Sequence, residues 1–214
     1  MSSPLRTWSY RYQWLYDGLS RLAALSVGGE NRFRRLALTG LEIQPQMQVL
    51  DLCCGSGQAT AVLAQCSQQV MGLDASPRSL QRARQNVPHA TFVEGFAENM
   101  PFADGQFDLV HTSMALHEMS FPQLQAILSE VYRVLKPDGV FALVDFHPPT
   151  QAVFWPGLAL FFALLETETA WQFIRLDLPA LLQQTGFQVT VRALYARGSL
   201  QVLHGLKPGN ISYP

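Results

Sequence analysis

Charge is what this sequence has least of. Asp, Glu, Lys and Arg together make up 14% of its 214 residues while apolar residues make up 48%, against about 25% charged in ordinary soluble chains. That balance excludes a disordered chain and predicts a large core. Fifteen Lys and Arg against sixteen Asp and Glu leave a formal charge of −1 with no basic run, so nothing is set to neutralise a phosphate backbone and no nucleic-acid partner is expected. Cysteine is sparse as well. Cys53 and Cys54 are adjacent and Cys66 has no His or Cys company, which excludes a disulfide framework and a zinc site and points to a reducing, cytoplasmic setting. Long apolar runs are missing too. The greasiest, residues 152–165 (AVFWPGLALFFALL), is 14 residues long and holds a proline, short of the roughly 20 residues that span a bilayer. With no apolar signal core near the N-terminus, neither a transmembrane nor a secretory segment is expected.

What the sequence has is alternation. From residue 47 onward short apolar runs (47–53, 70–74, 90–94, 107–112 and 140–146) alternate with helical patterns, which predicts a parallel sheet with helices on both faces. Two further runs, 187–193 and 199–204, are separated by five residues and are expected to pair antiparallel at the end of the chain. Helix starts are legible at Ser76-Pro77 and at Ser120-Phe-Pro-Gln123, the second with the spacing of a capping box. Residues 7–40, rich in Trp and Tyr, read as two helices. The expected organisation is a helical cap over 1–45 and one α/β domain over 46–214, with an inserted lid near 150–175.

The segment VLDLCCGSGQ (49–58) places Gly55 and Gly57 directly after a buried strand and before a helix, where a tight turn lets backbone amides approach a ligand. A dinucleotide fingerprint would want glycine at residue 60; Thr60 stands there, which argues against a nicotinamide enzyme. Asp51 would repel a pyrophosphate and suits a cationic amino-acid portion instead. Seventeen positions after Gly57, Gly72-Leu-Asp74 ends the second strand, where a carboxylate can accept from both ribose hydroxyls. Cys53 and Cys54 read as small strand-end residues rather than reactive thiols.

These residues resemble the first two motifs of the class I S-adenosylmethionine-dependent methyltransferases, and EGFAENMPF (94–102), Phe107-Asp108 and RVLKPDG (133–139) extend the resemblance along the sheet. It implies a Rossmann-like, doubly wound, seven-stranded α/β sheet, mostly parallel with an antiparallel C-terminal strand. It also implies S-adenosyl-L-methionine as cofactor, S-adenosyl-L-homocysteine as product, and a binding set of Asp51, Cys53, Gly55, Gly57, Asp74, Ala75, Phe96, Ala97, Glu98 and Ser113. Phe96 stands where the family often has Asp, so adenine recognition is expected to rest on the Ala97 backbone and apolar packing.

Within that class the chain is most similar to the ubiquinone/menaquinone-biosynthesis C-methyltransferases. Tyr16-Asp17, Leu25-Ser26, Arg32-Phe33-Arg34, RVLKPDGVFALVDFHP (133–148) and GSLQVLHGLKP (198–208) carry this similarity. It implies a small lipophilic aromatic or quinol acceptor, with peripheral membrane contact and oligomeric state left open. A ring carbon becomes nucleophilic when the neighbouring phenol loses its proton, so a base is wanted at the carboxyl ends of strands four and five. His117, Asp145 and His147 are the candidates there; His111 reads as structural and His89 as a turn residue. Residues 152–165 admit three readings: plain core, a lid over an apolar substrate, or a membrane-surface element. O- or N-methylation of a soluble metabolite, and a scaffold that binds the cofactor without catalysis, stand as alternatives.

Overall fold

The computed structural model describes residues 27–156, 159, 162, 163 and 168–209. The expected N-terminal helices lie outside the described residues as far as position 26, as do 157, 158, 160, 161, 164 and 165 of the greasy segment.

Seven strands form one sheet: β1 (Gln48–Leu52), β2 (Gln69–Asp74), β3 (Thr91–Glu94), β4 (Phe107–Ser113), β5 (Leu135–Phe146), β6 (Gln188–Tyr195) and β7 (Leu200–Leu206). Their order is β3-β2-β1-β4-β5-β7-β6. The first five are parallel, and β7 runs antiparallel between β5 and β6. All seven expected strands are present. The expected C-terminal pair does not simply add to the edge, because β7 enters the sheet beside β5 and pushes β6 outward. β5 also begins earlier than expected: Leu135 already pairs with Phe107, and the register shifts before Leu109 pairs with Val140. The Pro137-Asp138-Gly139 stretch is therefore an irregularity inside a strand rather than a helix stop, with Asp138 at φ 62°.

The helices that matter for the site are α1 (Glu30–Arg35), α2 (Gln58–Leu63), α3 (Pro77–Asn86) and α4 (Phe121–Val134), followed by α5 (Glu168–Phe173) and α6 (Leu178–Thr185). Ser76 caps α3 by accepting from the Ser79 N–H at 3.3 Å, and Ser120 with Gln123 forms the capping box of α4. α6 was not expected, although its Asp177 cap, Pro179 and left-handed Gly186 are all ordinary helix-end signals. Strand alternation divides the core in two. Leu50, Leu52, Val110, Phe141 and Leu143 pack under α4 and α6 on one face, while Val49, Leu109, Ala142 and Val144 meet Phe33, Leu36 and Ala37 on the other.

His204 of β7 fastens that second face. Its Nε2–H donates to the Ala37 carbonyl at 2.7 Å, across 167 residues of chain. Burial pushes the His204 imidazole below its ordinary value of 6.5, the bond to Ala37 only partly opposing the shift. The folded chain thus holds it neutral under conditions where the unfolded chain takes up a proton, so stability present above about 6.5 is lost as pH falls below it. Thermal unfolding followed between about pH 7.5 and 5.5 should show a falling Tm. In His204→Gln, which keeps a donor but cannot titrate, that fall should be smaller.

Candidate active site

The carboxyl ends of β1 and β4 diverge to neighbours on opposite sides, the place where open α/β sheets bind ligands. The backbone there is strained. Cys53 at φ 56° closes β1 and Met114 at φ 55° closes β4, both left-handed residues without the excuse of glycine. Between them lies the glycine loop, with Gly55 at φ 53° and Gly57 at φ 82°. A Cβ on Gly55 would meet nothing within 4 Å, whereas one on Gly57 would sit 3.3 Å from Ala83 of α3. Gly57 thus permits close helix packing, and Gly55 keeps an open space clear. Thr60, at the place of the missing third glycine, is fully buried and donates its hydroxyl to Asp51 Oδ2 at 2.6 Å.

Asp74 binds the loop to the next strand. Its Oδ2 accepts the Gly55 N–H at 2.8 Å and its Oδ1 accepts the Ser76 N–H at 2.9 Å. Burial raises its pKa, and these two N–H groups pull the other way. Ala75 lies between Asp74 and Ser76, the cap of α3. Asp51 is nearly unexposed and its Oδ1 faces His111 Nδ1 at 2.9 Å, so the expected ligand carboxylate already serves Thr60 and His111. On the neighbouring loop Ala97 is buried while the Phe96 ring is 64% exposed. Glu98 accepts from Gln123 at 3.4 Å.

Two features of this end were not read from the sequence. Arg133 clamps the loop after Glu98: it donates to the carbonyls of Phe102 and Met100 and to Asp104 and Glu130, while Glu130 accepts the Met100 N–H at 2.7 Å. The motif RVLKPDG marked only a helix end, and what the arginine grips lies some thirty residues away. The second feature is electrostatic. Burial pushes the Cys53 thiol far up, and the charges of Asp74, Asp51, Glu118 and Glu98 add to it in that order. Burial with Asp51 and Asp74 does the same to Cys54. Both thiols are therefore held protonated, unfit as nucleophiles or metal ligands. The space they border is electronegative, hospitable to a cation and hostile to a pyrophosphate. Glu118 had gone unnoticed, since a single Glu after a strand carries no signal of its own.

At the carboxyl ends of β4 and β5, Asp145 and His117 come together. Asp145 is fully buried. Its Oδ1 accepts from His117 Nδ1 at 2.6 Å and from the Phe146 N–H at 2.8 Å, and its Oδ2 accepts the Leu116 N–H at 2.9 Å. The carboxylate thereby selects the tautomer in which Nε2 is the basic nitrogen. Aromatic rings surround the imidazole, with Phe146 at 4.6 Å and Phe173 at 6.4 Å between centroids. Phe162 continues the cluster, 4.9 Å from Phe146 and 5.2 Å from Trp171. His147 is not brought into this pair. Its Nδ1 bonds the Gly198 carbonyl at 2.8 Å and its N–H the Ser199 carbonyl at 3.0 Å, which pins the exit of β5 to the turn before β7. Of the greasy segment, Phe162 is core while Val153 is 73% exposed.

Residues 49–139 match a family model described as a methyltransferase domain. An uncharacterized methyltransferase of Synechocystis is 61% identical over 95% of this chain and 96% of its own length. The chain belongs to the class I S-adenosylmethionine-dependent methyltransferases. A demethylmenaquinone methyltransferase of Desulfitobacterium hafniense is 33% identical over 69% of this enzyme and 60% of that one. A 2-phytyl-1,4-naphtoquinone methyltransferase of Trichormus variabilis is 32% identical over 72% of this enzyme and 69% of its own length. Among solved structures, a methyltransferase complexed with the Haloferax volcanii Trm112 methyltransferase activator superposes with TM-score 0.68 at 19% identity, covering 92% of this chain and 98% of that one. An S-adenosylmethionine-dependent methyltransferase of Aquifex aeolicus does so at 0.63 and 18% identity, covering 81% and 89%. At such identities these two speak for the fold alone.

The enzyme's residues fit the cofactor. Among the described residues, the open space at Gly55, the carboxylates around Cys53 and a buried Ser113 Oγ with no partner suit a ligand with a cationic sulfur and a polar end. Among the described residues no group of His, Cys, Asp and Glu could hold a metal ion, and no helix is long and apolar enough to cross a membrane.

Proposed function

We propose that this enzyme methylates a ring carbon of a lipophilic aromatic or quinol acceptor, with His117 as base and Asp145 as the residue that orients it. The observation that carries the reading is the buried Asp145 and His117 pair within the cluster of Phe146, Phe162, Trp171 and Phe173, beside the cofactor end of the sheet. Aromatic walls suit an apolar ring, and a carboxylate-oriented imidazole suits removal of a phenolic proton. The relatives that methylate demethylmenaquinone and 2-phytyl-1,4-naphtoquinone by name support the same acceptor class.

The cofactor, when bound, supplies an already activated methyl group on a cationic sulfur. The protein's share is then to align donor and acceptor, exclude water, and take one proton. In this reading Asp74 receives the ribose and Gly55 leaves room for it. Ala75, Phe96, Ala97 and Glu98 border the adenine, and Asp51, Cys53 and Ser113 lie toward the amino-acid end. α5 packs over the turn Leu116–Glu118 and covers His117 with Phe173, which keeps the base dry. Val153 and Trp155 present exposed apolar surface, consistent with an acceptor that carries a greasy tail.

Labelled S-adenosylmethionine incubated with prenylated quinols and with soluble phenols tests this directly. Transfer to the prenylated quinols is expected, and transfer confined to soluble acceptors sinks the lipophilic reading. Asp74→Ala should weaken cofactor binding by about 1–3 kcal/mol, the scale of hydrogen bonds to a charged group. An unchanged dissociation constant in calorimetry would remove Asp74 from the ribose.

A further inference from the structure

We propose that a cavity between α1 and the end of β6 binds the phosphate monoester of an amphiphile through Arg32 and Arg35. The cavity measures about 410 Å³ and is lined by Asn31, Arg32, Arg35, Leu36, Thr39 and Tyr195, a size within the roughly 300–1,000 Å³ of small-molecule sites. None of these residues belongs to the glycine loop or to the Asp145 and His117 pair, so neither the cofactor nor the proposed proton transfer gives the cavity a use.

Local spacing builds one wall. Arg32, Arg35, Leu36 and Thr39 recur at intervals of three and four, which puts them on one face of α1 and the turn after it. Leu36 is buried while Arg32, Arg35 and Thr39 are exposed, so that face has an apolar floor and a basic rim. Tyr195 of β6 adds its ring and packs against the apolar cluster that contains Leu36. Like charges three residues apart on a helix repel each other, and among the described residues no Asp or Glu lines the cavity to offset them. Glu30, the one carboxylate of α1, lies 3.6 Å from Arg34 instead. Arg35 donates from one terminal nitrogen to the Gln65 amide oxygen, which orients the guanidinium without neutralising it.

These groups define the ligand. A guanidinium only donates and matches oxyanions with its paired N–H groups. Two of them suit a phosphate monoester, with a charge of about −1.5 to −2, better than the single charge of a carboxylate. The Thr39 and Tyr195 hydroxyls and the Asn31 amide supply further donors. Leu36, the Tyr195 ring and the arginine stems offer apolar surface to the chain that the phosphate carries. The neighbouring surface has the same character. Thr150 donates to the Arg197 carbonyl at 3.2 Å, two residues past Tyr195, and the exposed Val153 and Trp155 follow Thr150 by three and five residues. A phospholipid in a bilayer and a free alkyl phosphate share this chemistry, so both are put to the test.

The full chain is titrated calorimetrically with octyl phosphate, kept monomeric, and with inorganic phosphate. Octyl phosphate should bind at least about 10-fold more tightly. Arg32→Gln and Arg35→Gln should each weaken it about 10-fold, as for a lost hydrogen bond to a charged group, and leave S-adenosylhomocysteine binding unchanged. Asn31→Asp, an isosteric change on an exposed side chain, keeps the fold and should weaken octyl phosphate too, because its carboxylate competes for the two guanidiniums. Cosedimentation with phosphatidylcholine vesicles, with and without phosphatidic acid, separates the sources. Retention that requires phosphatidic acid and is lost in Arg32→Gln and Arg35→Gln assigns the cavity to a bilayer lipid, and octyl phosphate binding without retention assigns it to a soluble alkyl phosphate. The proposal is overturned if neither probe binds, if octyl phosphate binds no more tightly than inorganic phosphate, if the variants bind as the wild type does, or if they lose S-adenosylhomocysteine equally.

Discussion

Gly55→Val is expected to abolish S-adenosylmethionine binding in a chain that still folds. Among the described residues an added Cβ meets nothing within 4 Å, so the side chain grows into open space, the space the ligand needs in the proposed site. A non-glycine residue at φ 53° is strained by roughly 1–2 kcal/mol, small beside the 5–15 kcal/mol that ordinarily separates folded from unfolded chains. Gly57→Val makes the contrast. Its Cβ would press on Ala83 at 3.3 Å and Val87 at 3.4 Å, so α2 and α3 must separate and stability should drop along with binding. Calorimetry for the cofactor and thermal melts for the fold separate the two effects. A Gly55→Val protein that binds with wild-type affinity would take the glycine loop out of the cofactor site.

His117→Ala should lower the chemical rate by about 10²–10⁴, the usual contribution of a positioned general base, with little change in cofactor affinity. The pH profile separates a base from a packing residue. Acid protonates the imidazole and removes the base, so the wild-type rate should decline on that side, and the variant should lose this decline along with its rate. Asp145→Asn should reduce the rate in the same direction, because an amide cannot hold Nδ1–H as a carboxylate does and the ring loses its fixed tautomer. It should also cost stability, since Asp145 accepts from the buried N–H groups of Leu116 and Phe146 as well. His147→Ala is expected to keep the acid limb. Should His117→Ala keep both limb and rate, proton removal does not limit the reaction and the enzyme works by positioning alone.

The strands, the capped starts of α3 and α4, the glycine loop and Asp74 were all legible in the sequence, and the reason is physical. Each is written in a short window: strand alternation over five residues, a Ser with a Pro behind it, a glycine where φ must be positive. The family resemblance joined these windows in order. The turns at Gly55, Gly57 and Asp74 could be read from the sequence because each is made by its own backbone or that of its neighbours.

Only the tertiary structure decided which of the polar residues meet. His117 finds Asp145 across 28 residues and His111 finds Asp51 across 60, because β4 lies between β1 and β5 in the sheet. His147 looked equivalent to His117 as a strand-end histidine, yet β7 enters beside β5 and takes its ring with the Gly198 carbonyl. Asp51 gave no local sign that Thr60 and His111 would be its partners. Such pairings are set by strand order and by helices closing over a face, and no local pattern encodes them. The sequence by itself determined the fold class and the place of the glycine loop after the first strand, since both follow from periodicity and turns. The division of labour among the buried histidines and carboxylates came from packing, because a polar group inside a core takes whichever partner the folded chain brings within about 3 Å.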